Sequence, residues 1–303
     1  MSFELRNWLL ENEDVAIDLA SSSMNSLGLS EIGKIESNFD LGYEENLEKE
    51  LQKEIRKRVY KNNAEVLTCP GTQPGNFLIM KTLLEDGDEV IVEEPCYLPL
   101  QNIPKLLGCD VKILDRKYQN DFGIDTESVK KMTTEKTKLL AITNPHNPSG
   151  LYLEPSDLRE VQMFLEERNV YMLVDEIYRD FIESSESLVS MGKNVIVTSS
   201  LSKVYGMGGA RVGWISTTNE DLLKSIKNLK LQMNLLNSNF SNKVGLFAMN
   251  ERERLLEKAR KLAKKNLSMV EGWIEGNSSV EWVKPSSGII SFPRLGIGYN
   301  SKE

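Results

Sequence analysis

Short apolar runs separated by polar segments recur through the middle of this 303-residue chain. Four of these runs predict buried strands, at residues 89–92, 139–143, 170–174 and 194–199. Between the second and the third run, Leu158, Val161 and Leu165 share one face of a helical pattern that Pro155 opens. The succession of strand, helix and strand predicts the α/β class, with a mostly parallel sheet between two helical layers in a three-layer αβα domain.

Three further segments have the amphipathic pattern of helices. They lie at residues 44–61, 221–235 and 240–274, and the last is long enough for one extended helix. Another apolar run begins at residues 280–283. The first forty residues, with a serine-rich stretch at 21–26, have no clear period and predict an irregular arm. We therefore expect a large central domain flanked by an arm and by a second, smaller domain.

Polar clusters follow three of the predicted strands at the point where each strand ends. Asn147 follows the second run, Asp175 and Tyr178 follow the third, and Lys203 follows the fourth. In open parallel sheets the ligand crevice lies outside the carboxyl ends of the strands. We expect these four side chains to converge there.

Lys203 stands among groups that suit a phosphorylated aldehyde. Its amine can form a Schiff base once its proton affinity is lowered. Ser200, Ser202 and Arg211 lie near it in the sequence and supply hydrogen-bond donors for a phosphate dianion. The ordinary alternative is a solvated lysine after a buried strand, because serine and lysine are common at protein surfaces.

The neighbouring polar residues suit an aromatic heterocycle. An aspartate at a buried strand end, such as Asp175, stays ionised only beside a cation, and a pyridinium nitrogen is such a cation. A protonated ring is an electron sink that allows a carbanion to form next to an imine. Asn147 and Tyr178 can both donate to a phenolate oxygen on that ring. Tyr97, just beyond the strand at residues 89–92, can stack on its face.

A phosphate-binding loop is predicted upstream of these clusters. Gly71, Thr72 and Gln73 precede a helical stretch at residues 76–84. The free backbone amides at a helix N-terminus bind phosphate. Pro74 fits there, since an early helical position needs no amide donor.

Each of these residues also has an ordinary structural interpretation. Asn–Pro pairs and Gly150 form turns, and Asp175 can cap a helix. Tyr97 and Tyr178 can simply be buried near the rim of the core, and Arg211 can form a surface ion pair. All of these interpretations would have to hold together, and in this order, to replace the functional one.

Composition and charge exclude several classes of protein. The chain is 40% hydrophobic, with no apolar run near ~20 residues and no basic flank leading into an apolar N-terminus, so we expect a cytoplasmic protein without membrane contact. Three cysteines have no metal-binding spacing, and a single histidine, His146, excludes a multi-histidine metal site. We interpret His146 as a turn residue. A net charge of −8 argues against a nucleic-acid partner.

In their order along the chain, the clusters resemble those of fold type I pyridoxal-phosphate enzymes, specifically the class I and II aminotransferases. The matching segments are residues 71–73, 95–97, 144–150, 175–178, 200–203 and Arg211. The resemblance implies that Lys203 carries the cofactor pyridoxal 5'-phosphate as an internal aldimine and that Asp175 pairs with its pyridine nitrogen. It implies that Asn147 and Tyr178 contact the ring hydroxyl and that Tyr97 stacks on the ring. The implied phosphate site comprises Gly71, Thr72, Ser200 and Arg211, with Gln73 and Ser202 beside them.

A transaminase is the function that this resemblance implies. Such an enzyme moves the amino group of an L-amino acid to a 2-oxo acid, with Lys203 as the proton shuttle and Asp175 and Tyr178 as its catalytic partners. Alternatives on the same scaffold are a carbon–sulfur β-lyase, a decarboxylase and a cyclopropane-carboxylate synthase. A non-catalytic binding or regulatory protein that keeps the cofactor pocket is an alternative of another class.

The chain departs from the family pattern near both ends. Tyr43 resembles the tyrosine that reaches a neighbouring subunit's phosphate, which implies a homodimer with a shared active site, but the glycine usual shortly after it is missing. The arginine that clamps the substrate α-carboxylate normally lies in a stretch well beyond Gly288. Arg294 is the nearest candidate, at a position that does not match. We therefore expect the sequence to be incomplete, or the carboxylate to be held differently.

The same resemblance divides the chain into four regions. Residues 1–40 are the N-terminal arm, 41–240 the large cofactor-binding domain, 241–275 a helix that bridges two domains, and 276–303 the start of the C-terminal small domain. The arm and the C-terminal region together are expected to form a smaller α+β domain.

Overall fold

A seven-stranded sheet forms the centre of the molecule. The computed structural model describes residues 4–12, 14–32 and 42–296. The strands are β1 (Glu65–Cys69), β2 (Glu89–Glu94), β3 (Asp110–Asp115), β4 (Thr137–Thr143), β5 (Tyr171–Asp175), β6 (Val195–Ser200) and β7 (Gly213–Thr217). Their order is β1-β7-β6-β5-β4-β2-β3. Strand β7 runs antiparallel to β1 and β6 and the other four pairs are parallel, so the predicted mostly parallel sheet is confirmed.

Helices cover both faces of this sheet. They are α1 (Glu4–Glu11), α2 (Glu45–Tyr60), α3 (Thr72–Leu83), α4 (Pro99–Leu106), α5 (Thr126–Met132), α6 (Pro155–Glu167), α7 (Glu220–Asn234), α8 (Asn239–Asn250) and α9 (Arg252–Glu275). Alternate strand residues point to opposite faces, so Ile91 and Leu140 join one hydrophobic cluster and Val90 and Leu139 the other. Helices α2, α5, α6, α8 and α9 pack into the first cluster and α3, α4 and α7 into the second. This is the predicted three-layer αβα arrangement.

Helix α3 begins earlier than the apolar pattern predicts. It starts at Thr72 rather than at residue 76, because Gly71 adopts a φ of 111° and turns the chain from β1 into the helix. Pro74 therefore lies in the first helical turn, as predicted. The free amides of this helix N-terminus belong to the glycine loop itself.

The single long helix predicted at residues 240–274 is wrong. The structure has two helices, α8 and α9, because the backbone of Glu251 (φ −95°, ψ 13°) leaves helical geometry between them. Val244 and Leu255 keep helical spacing across this break and enter the same core cluster, which is why the pattern predicts one helix. Helix α8 packs against α2, and the bridging role predicted for residues 241–275 stays a prediction.

A two-stranded antiparallel sheet follows the last helix. It pairs β8 (Val280–Glu281) with β9 (Arg294–Leu295), where the sequence predicts a second domain to begin. The domain boundaries themselves stay a prediction. Within the part of the chain that the structure describes, we find no helix both long and apolar enough to span a bilayer.

The register of the central sheet brings the predicted site residues to one edge. Thr143 at the end of β4 pairs with Asp175 at the end of β5, and Asp175 pairs with Thr198 in β6. Gly213 at the start of β7 pairs with Ser200 on one side and with the last residue of β1 on the other. The carboxyl ends of β1, β4, β5 and β6 therefore border one crevice.

Candidate active site

Lys203 lies in the turn after β6, half-buried beneath the N-terminal arm. Its Nζ donates a hydrogen bond to Ser22 Oγ at 2.7 Å, and its carbonyl accepts one from the Met24 amide at 3.0 Å. The arm thus crosses directly over the lysine. The lysine charge also acts on Asp175, where it opposes the effect of burial on the pKa of the carboxyl. The amine is therefore near enough to the buried carboxyl for its charge to act on it.

Asp175 is the last residue of β5 and is 3% exposed. Burial raises the pKa of its carboxyl to about 7. Two hydrogen bonds oppose this rise, from Asn76 Nδ2 to Oδ2 at 3.3 Å and from the Ile177 amide to Oδ1 at 3.1 Å. A cation placed against this carboxyl would hold it ionised, which is what a pairing with a pyridinium nitrogen requires.

Asn76 and Ser22 contact the predicted site, although the sequence pattern does not reveal them. Asn76 is fully buried on α3, and its Oδ1 accepts a hydrogen bond from Thr198 Oγ1 at 2.8 Å. The sequence signal for Asn76 is an amide side chain directly before the apolar residues 77–79. An asparagine at the predicted start of a helix is equally typical of a helix cap. Ser22 lies in an irregular arm 181 positions from Lys203 and carries no signal.

Tyr178 and Asn147 reach the crevice from the loops after β5 and β4. The Tyr178 hydroxyl donates to the carbonyl of Ser22 at 3.2 Å, and burial raises its pKa, so it is protonated at neutral pH. The backbone N–H of Asn147 donates to Thr143 Oγ1 at 2.9 Å, and the Thr143 hydroxyl donates to buried Glu93 at 2.6 Å. Both loops are held by hydrogen bonds. Their predicted contacts with a ring hydroxyl stay a prediction.

The loops after β1 and β2 meet through Tyr97 and Gln73. The Tyr97 hydroxyl donates to Gln73 Oε1 at 3.0 Å. Gln73 is exposed and Tyr97 is half-buried, so the tyrosine ring is tied to the first turn of α3 at the edge of the sheet. A ring held in this way can stack on a planar ligand, and the predicted stacking role fits this placement.

Gly71, Thr72 and Arg211, which are predicted to bind a phosphate, lie together. Arg211 Nη2 donates to the carbonyl of Pro70 at 2.7 Å, and a Cβ on Gly71 would lie only 2.6 Å from that nitrogen. The close approach of the guanidinium therefore requires glycine. Thr72 is 6% exposed, and its Oγ1 is buried without a hydrogen-bond partner among the described residues. A buried, unsatisfied hydroxyl at a helix N-terminus beside a guanidinium fits a phosphate oxygen.

Ser200 and Ser202 lie in the turn that leads to Lys203. Ser200 is 1% exposed, and its Oγ accepts a hydrogen bond from the Ser202 amide at 3.2 Å. Its register partner Gly213 packs on the glycine loop, because a Cβ on Gly213 would lie 2.6 Å from the backbone of Gly71. Ser200 is thus one strand away from the predicted phosphate site.

Two other candidates lie apart from this cluster. The Tyr43 side chain is 85% exposed. The Arg294 guanidinium lies 5.3 Å from the centre of the Tyr118 ring and is exposed. Neither makes a contact with the cluster around Lys203 that the described residues record. The role of Tyr43 at a neighbouring subunit's phosphate stays a prediction, and so does the question of which residue holds a substrate carboxylate.

His146 is a turn residue, as predicted. It is fully buried, and its ring nitrogens lie 2.8 Å from Ser149 Oγ and 2.8 Å from the carbonyl of Pro95. Burial lowers the pKa of the ring to about 3, so the side chain is neutral at physiological pH. The imidazole fastens the loop after β4 to the loop after β2 and has no free nitrogen for catalysis.

Comparison with known proteins agrees with this geometry. The family model described as aminotransferase class I and II matches residues 25–296. The chain belongs to the class I and II aminotransferase family. This membership confirms the resemblance that the order of the clusters indicates.

The relatives of this aminotransferase-family chain are distant. It is 28% identical to a probable aspartate/prephenate aminotransferase of Aquifex aeolicus, over 76% of this chain and 60% of the relative. It is 24% identical to capreomycidine synthase of Streptomyces vinaceus, with the same coverage of 76% and 60%. A solved pyridoxal-phosphate-dependent aminotransferase from Streptococcus suis aligns with a TM-score of 0.85 and 27% identity, over 99% of this chain and 84% of that one. The chain spans about three fifths of the length of these curated relatives.

Proposed function

We propose that this protein binds pyridoxal phosphate in the crevice and transfers the amino group of an L-amino acid to a 2-oxo acid. The proposal rests on three groups that lie at one edge of the sheet. They are the Lys203 amine, the buried Asp175 carboxyl and the Thr72 hydroxyl, which has no hydrogen-bond partner among the described residues. An ionised carboxyl in a buried position lowers the stability of the fold, and so does a buried hydroxyl that has no hydrogen-bond partner. A phosphorylated pyridinium ligand would satisfy both.

Lys203 has two tasks in this reaction. Pyridoxal phosphate, when bound, withdraws electrons from the Cα of an amino acid and makes its proton removable. The Lys203 amine would hold the cofactor aldehyde and, when displaced by an amino acid, would be the base that removes the α-proton and the acid that delivers it to the cofactor carbon. Ser22 Oγ accepts a hydrogen bond from this amine at 2.7 Å in the structure. The same contact would orient the lysine nitrogen for proton transfer.

The other site residues would stabilise the charged and polar groups of the cofactor. The Asp175 carboxylate would stabilise a proton on the ring nitrogen, and its own pKa would fall beside that cation. Tyr178, kept protonated by burial, and the Asn147 side chain would donate to the ring hydroxyl oxygen. Arg211 and Thr72 would hold phosphate oxygens.

The test is an assay with a panel of amino donors and 2-oxo acids. We expect a new amino acid to appear in equal amount to the donor consumed. Lys203→Ala should abolish the reaction, whereas Lys193→Ala, at an exposed lysine just before β6 in the sequence, should leave it unchanged. Full activity in Lys203→Ala would show that the chemistry lies elsewhere.

One observation favours a second candidate reaction on the same scaffold. The similarity to capreomycidine synthase indicates that related chains carry out chemistry other than simple amino transfer. Product analysis separates the cases. Pyruvate and ammonia from a sulfur amino acid would indicate a β-lyase, released carbon dioxide a decarboxylase, and a new ring a cyclase or cyclopropane synthase. Cofactor binding without conversion of any amino acid would indicate a non-catalytic binder.

We also propose a cytoplasmic homodimer with a shared active site. Tyr43 is 85% exposed, and the preceding residue, Gly42, is anchored through its carbonyl, which accepts a hydrogen bond from Asn239 Nδ2 at 2.6 Å. An exposed aromatic side chain on an anchored backbone suits insertion into a second copy of the chain. The proposed cytoplasmic location rests on the sequence alone.

A further inference from the structure

We propose that Asn76 and Thr198 are positioning residues that hold the Asp175 carboxylate ionised and pointed at the cofactor ring. The proposal rests on the proposed function, because it treats Asp175 as the partner of the ring nitrogen. Neither residue would touch the reacting atoms. Both would act through the carboxylate.

The three side chains form one hydrogen-bonded chain. Thr198 Oγ1 donates to Asn76 Oδ1 at 2.8 Å, and Asn76 Nδ2 donates to Asp175 Oδ2 at 3.3 Å. Thr198 and Asp175 are register partners in neighbouring strands, whereas Asn76 comes from α3 on one face of the sheet. The exposed fractions are 0%, 0% and 3% for Thr198, Asn76 and Asp175, so bulk water does not compete for these bonds.

The direction of each bond decides which charge state of Asp175 is favoured. Asn76 presents its NH2 group to Oδ2, and the Ile177 amide donates to Oδ1 at 3.1 Å. Donors on both oxygens stabilise a carboxylate relative to the protonated acid. If the Asn76 amide rotated by half a turn, its oxygen would face Oδ2, which suits only the protonated acid. In the observed orientation Thr198 donates to the amide oxygen, so the hydrogen bonds on both sides of Asn76 are satisfied while its NH2 group faces Oδ2.

Packing fixes the Thr198 hydroxyl toward Asn76. A Cβ on Gly75 would lie 3.4 Å from Thr198 Cγ2, so the threonine methyl group rests against α3 where a glycine leaves room. Threonine is stiff at χ1 because it is branched at Cβ. Exchanging the hydroxyl and the methyl group would lose both the contact with Gly75 and the hydrogen bond.

The charges around Asp175 explain why a neutral donor is useful. Burial raises its pKa, and the Asn76 hydrogen bond is the largest of the effects that lower it, ahead of the charge of Lys203. Glu93 raises it further, and the Tyr178 hydroxyl also interacts with it. The Lys203 amine changes its bonding when it holds the cofactor aldehyde. Asn76 can donate to the carboxylate both before and after that change in Lys203.

The test is a 13C NMR titration of the Asp175 carboxyl in the full chain without cofactor, with Asp175→Asn to identify the signal. We expect a wild-type midpoint at about pH 7. Asn76→Leu should raise the midpoint by about one pH unit, since a hydrogen bond to a charged group is worth about that much. Thr198→Val should shift it in the same direction, and Thr198→Ser, which keeps the hydroxyl but loses the methyl group, should shift it less than Thr198→Val does.

Unchanged midpoints in Asn76→Leu and Thr198→Val would overturn the proposal, because a merely structural contact alters stability without moving the titration. Thermal unfolding identifies the variants that fold, and the two Thr198 variants decide the question if Asn76→Leu does not. The titration needs no cofactor. Shifted midpoints in a protein that binds no pyridoxal phosphate would therefore support the hydrogen-bonded chain and contradict the proposed function.

Discussion

Asp175 is the residue whose surroundings say most about the chemistry. It is 3% exposed, and burial raises its pKa to about 7, so folding without a bound cation places an ionisable group where its charge is costly. A pyridinium partner would remove that cost. Under the proposed function, cofactor binding would be coupled to the stability of the fold through this one carboxyl.

We predict that Asp175→Asn stabilises the cofactor-free protein, and more at pH 8 than at pH 5. The folded pKa of about 7 exceeds an unfolded value of about 3.9, so the stability from the protonated carboxyl is complete below about pH 4 and is lost as the pH rises through 7. The amide of the Asp175→Asn variant does not titrate, so this variant does not lose that stability as the pH rises. The gain in unfolding free energy, measured with urea, should grow by about 2–3 kcal/mol between these pH values. An equal gain at both would contradict this, and Asp221→Asn at an exposed position is the control.

The site residues that could be predicted are those that follow a buried strand. Asp175 and Lys203 have this signal, because the ends of parallel strands meet at one edge whatever the details of packing. Asn76 and Ser22 lack it. They lie 99 and 181 positions from their partners, Asp175 and Lys203, and their contacts depend on how α3 and the arm pack on the sheet. Tertiary packing of this kind leaves no local pattern.

At the scale of elements, the junction between β1 and α3 shapes the phosphate site. Gly71 combines a φ of 111° with the close approach of Arg211, and the helix N-terminus starts at the next residue. The helix N-terminus, the guanidinium and Thr72 therefore lie beside one another at this junction. The sequence pattern placed the start of this helix four residues late, because the first turn contains no apolar residue.

We predict that Gly71→Ala weakens pyridoxal-phosphate binding by about tenfold or more, because its Cβ would lie 2.6 Å from Arg211 Nη2 and displace the guanidinium. Gly87→Ala is the matched control, since Gly87 has a φ of 84° with no atom within 4 Å of an added Cβ. It should cost about 1–2 kcal/mol of stability and leave binding intact. Absorbance titration with the cofactor measures the affinities. Equal losses of affinity in both variants would contradict the role of Arg211.

At the scale of the whole molecule, large apolar side chains are exposed in the arm and before α2. The exposed fractions are 54% for Trp8, 77% for Ile17, 93% for Leu19 and 85% for Tyr43. A concentration of such residues in neighbouring parts of the sequence is typical of a surface that another protein covers. A second copy of the chain is the partner that a shared active site requires.

We predict that a mixture of Lys203→Ala and Tyr43→Ala proteins regains activity that neither has alone. In a mixed dimer, one site carries both changes and the other carries neither, so a random mixture should recover about a quarter of the wild-type rate. Sedimentation and subunit exchange with labelled chains show that mixed dimers form. No recovery in a mixture that exchanges subunits would contradict the shared site.

Covalent attachment of the cofactor to one lysine is the central claim, and peptide mapping tests it directly. The protein is incubated with pyridoxal phosphate, reduced with borohydride, digested and analysed by mass spectrometry. We predict a label on the peptide that contains Lys203, retained in Lys193→Ala and lost in Lys203→Ala. A label on a different lysine, or a folded wild-type protein that takes up no label, would contradict the assignment of this crevice as a pyridoxal-phosphate site.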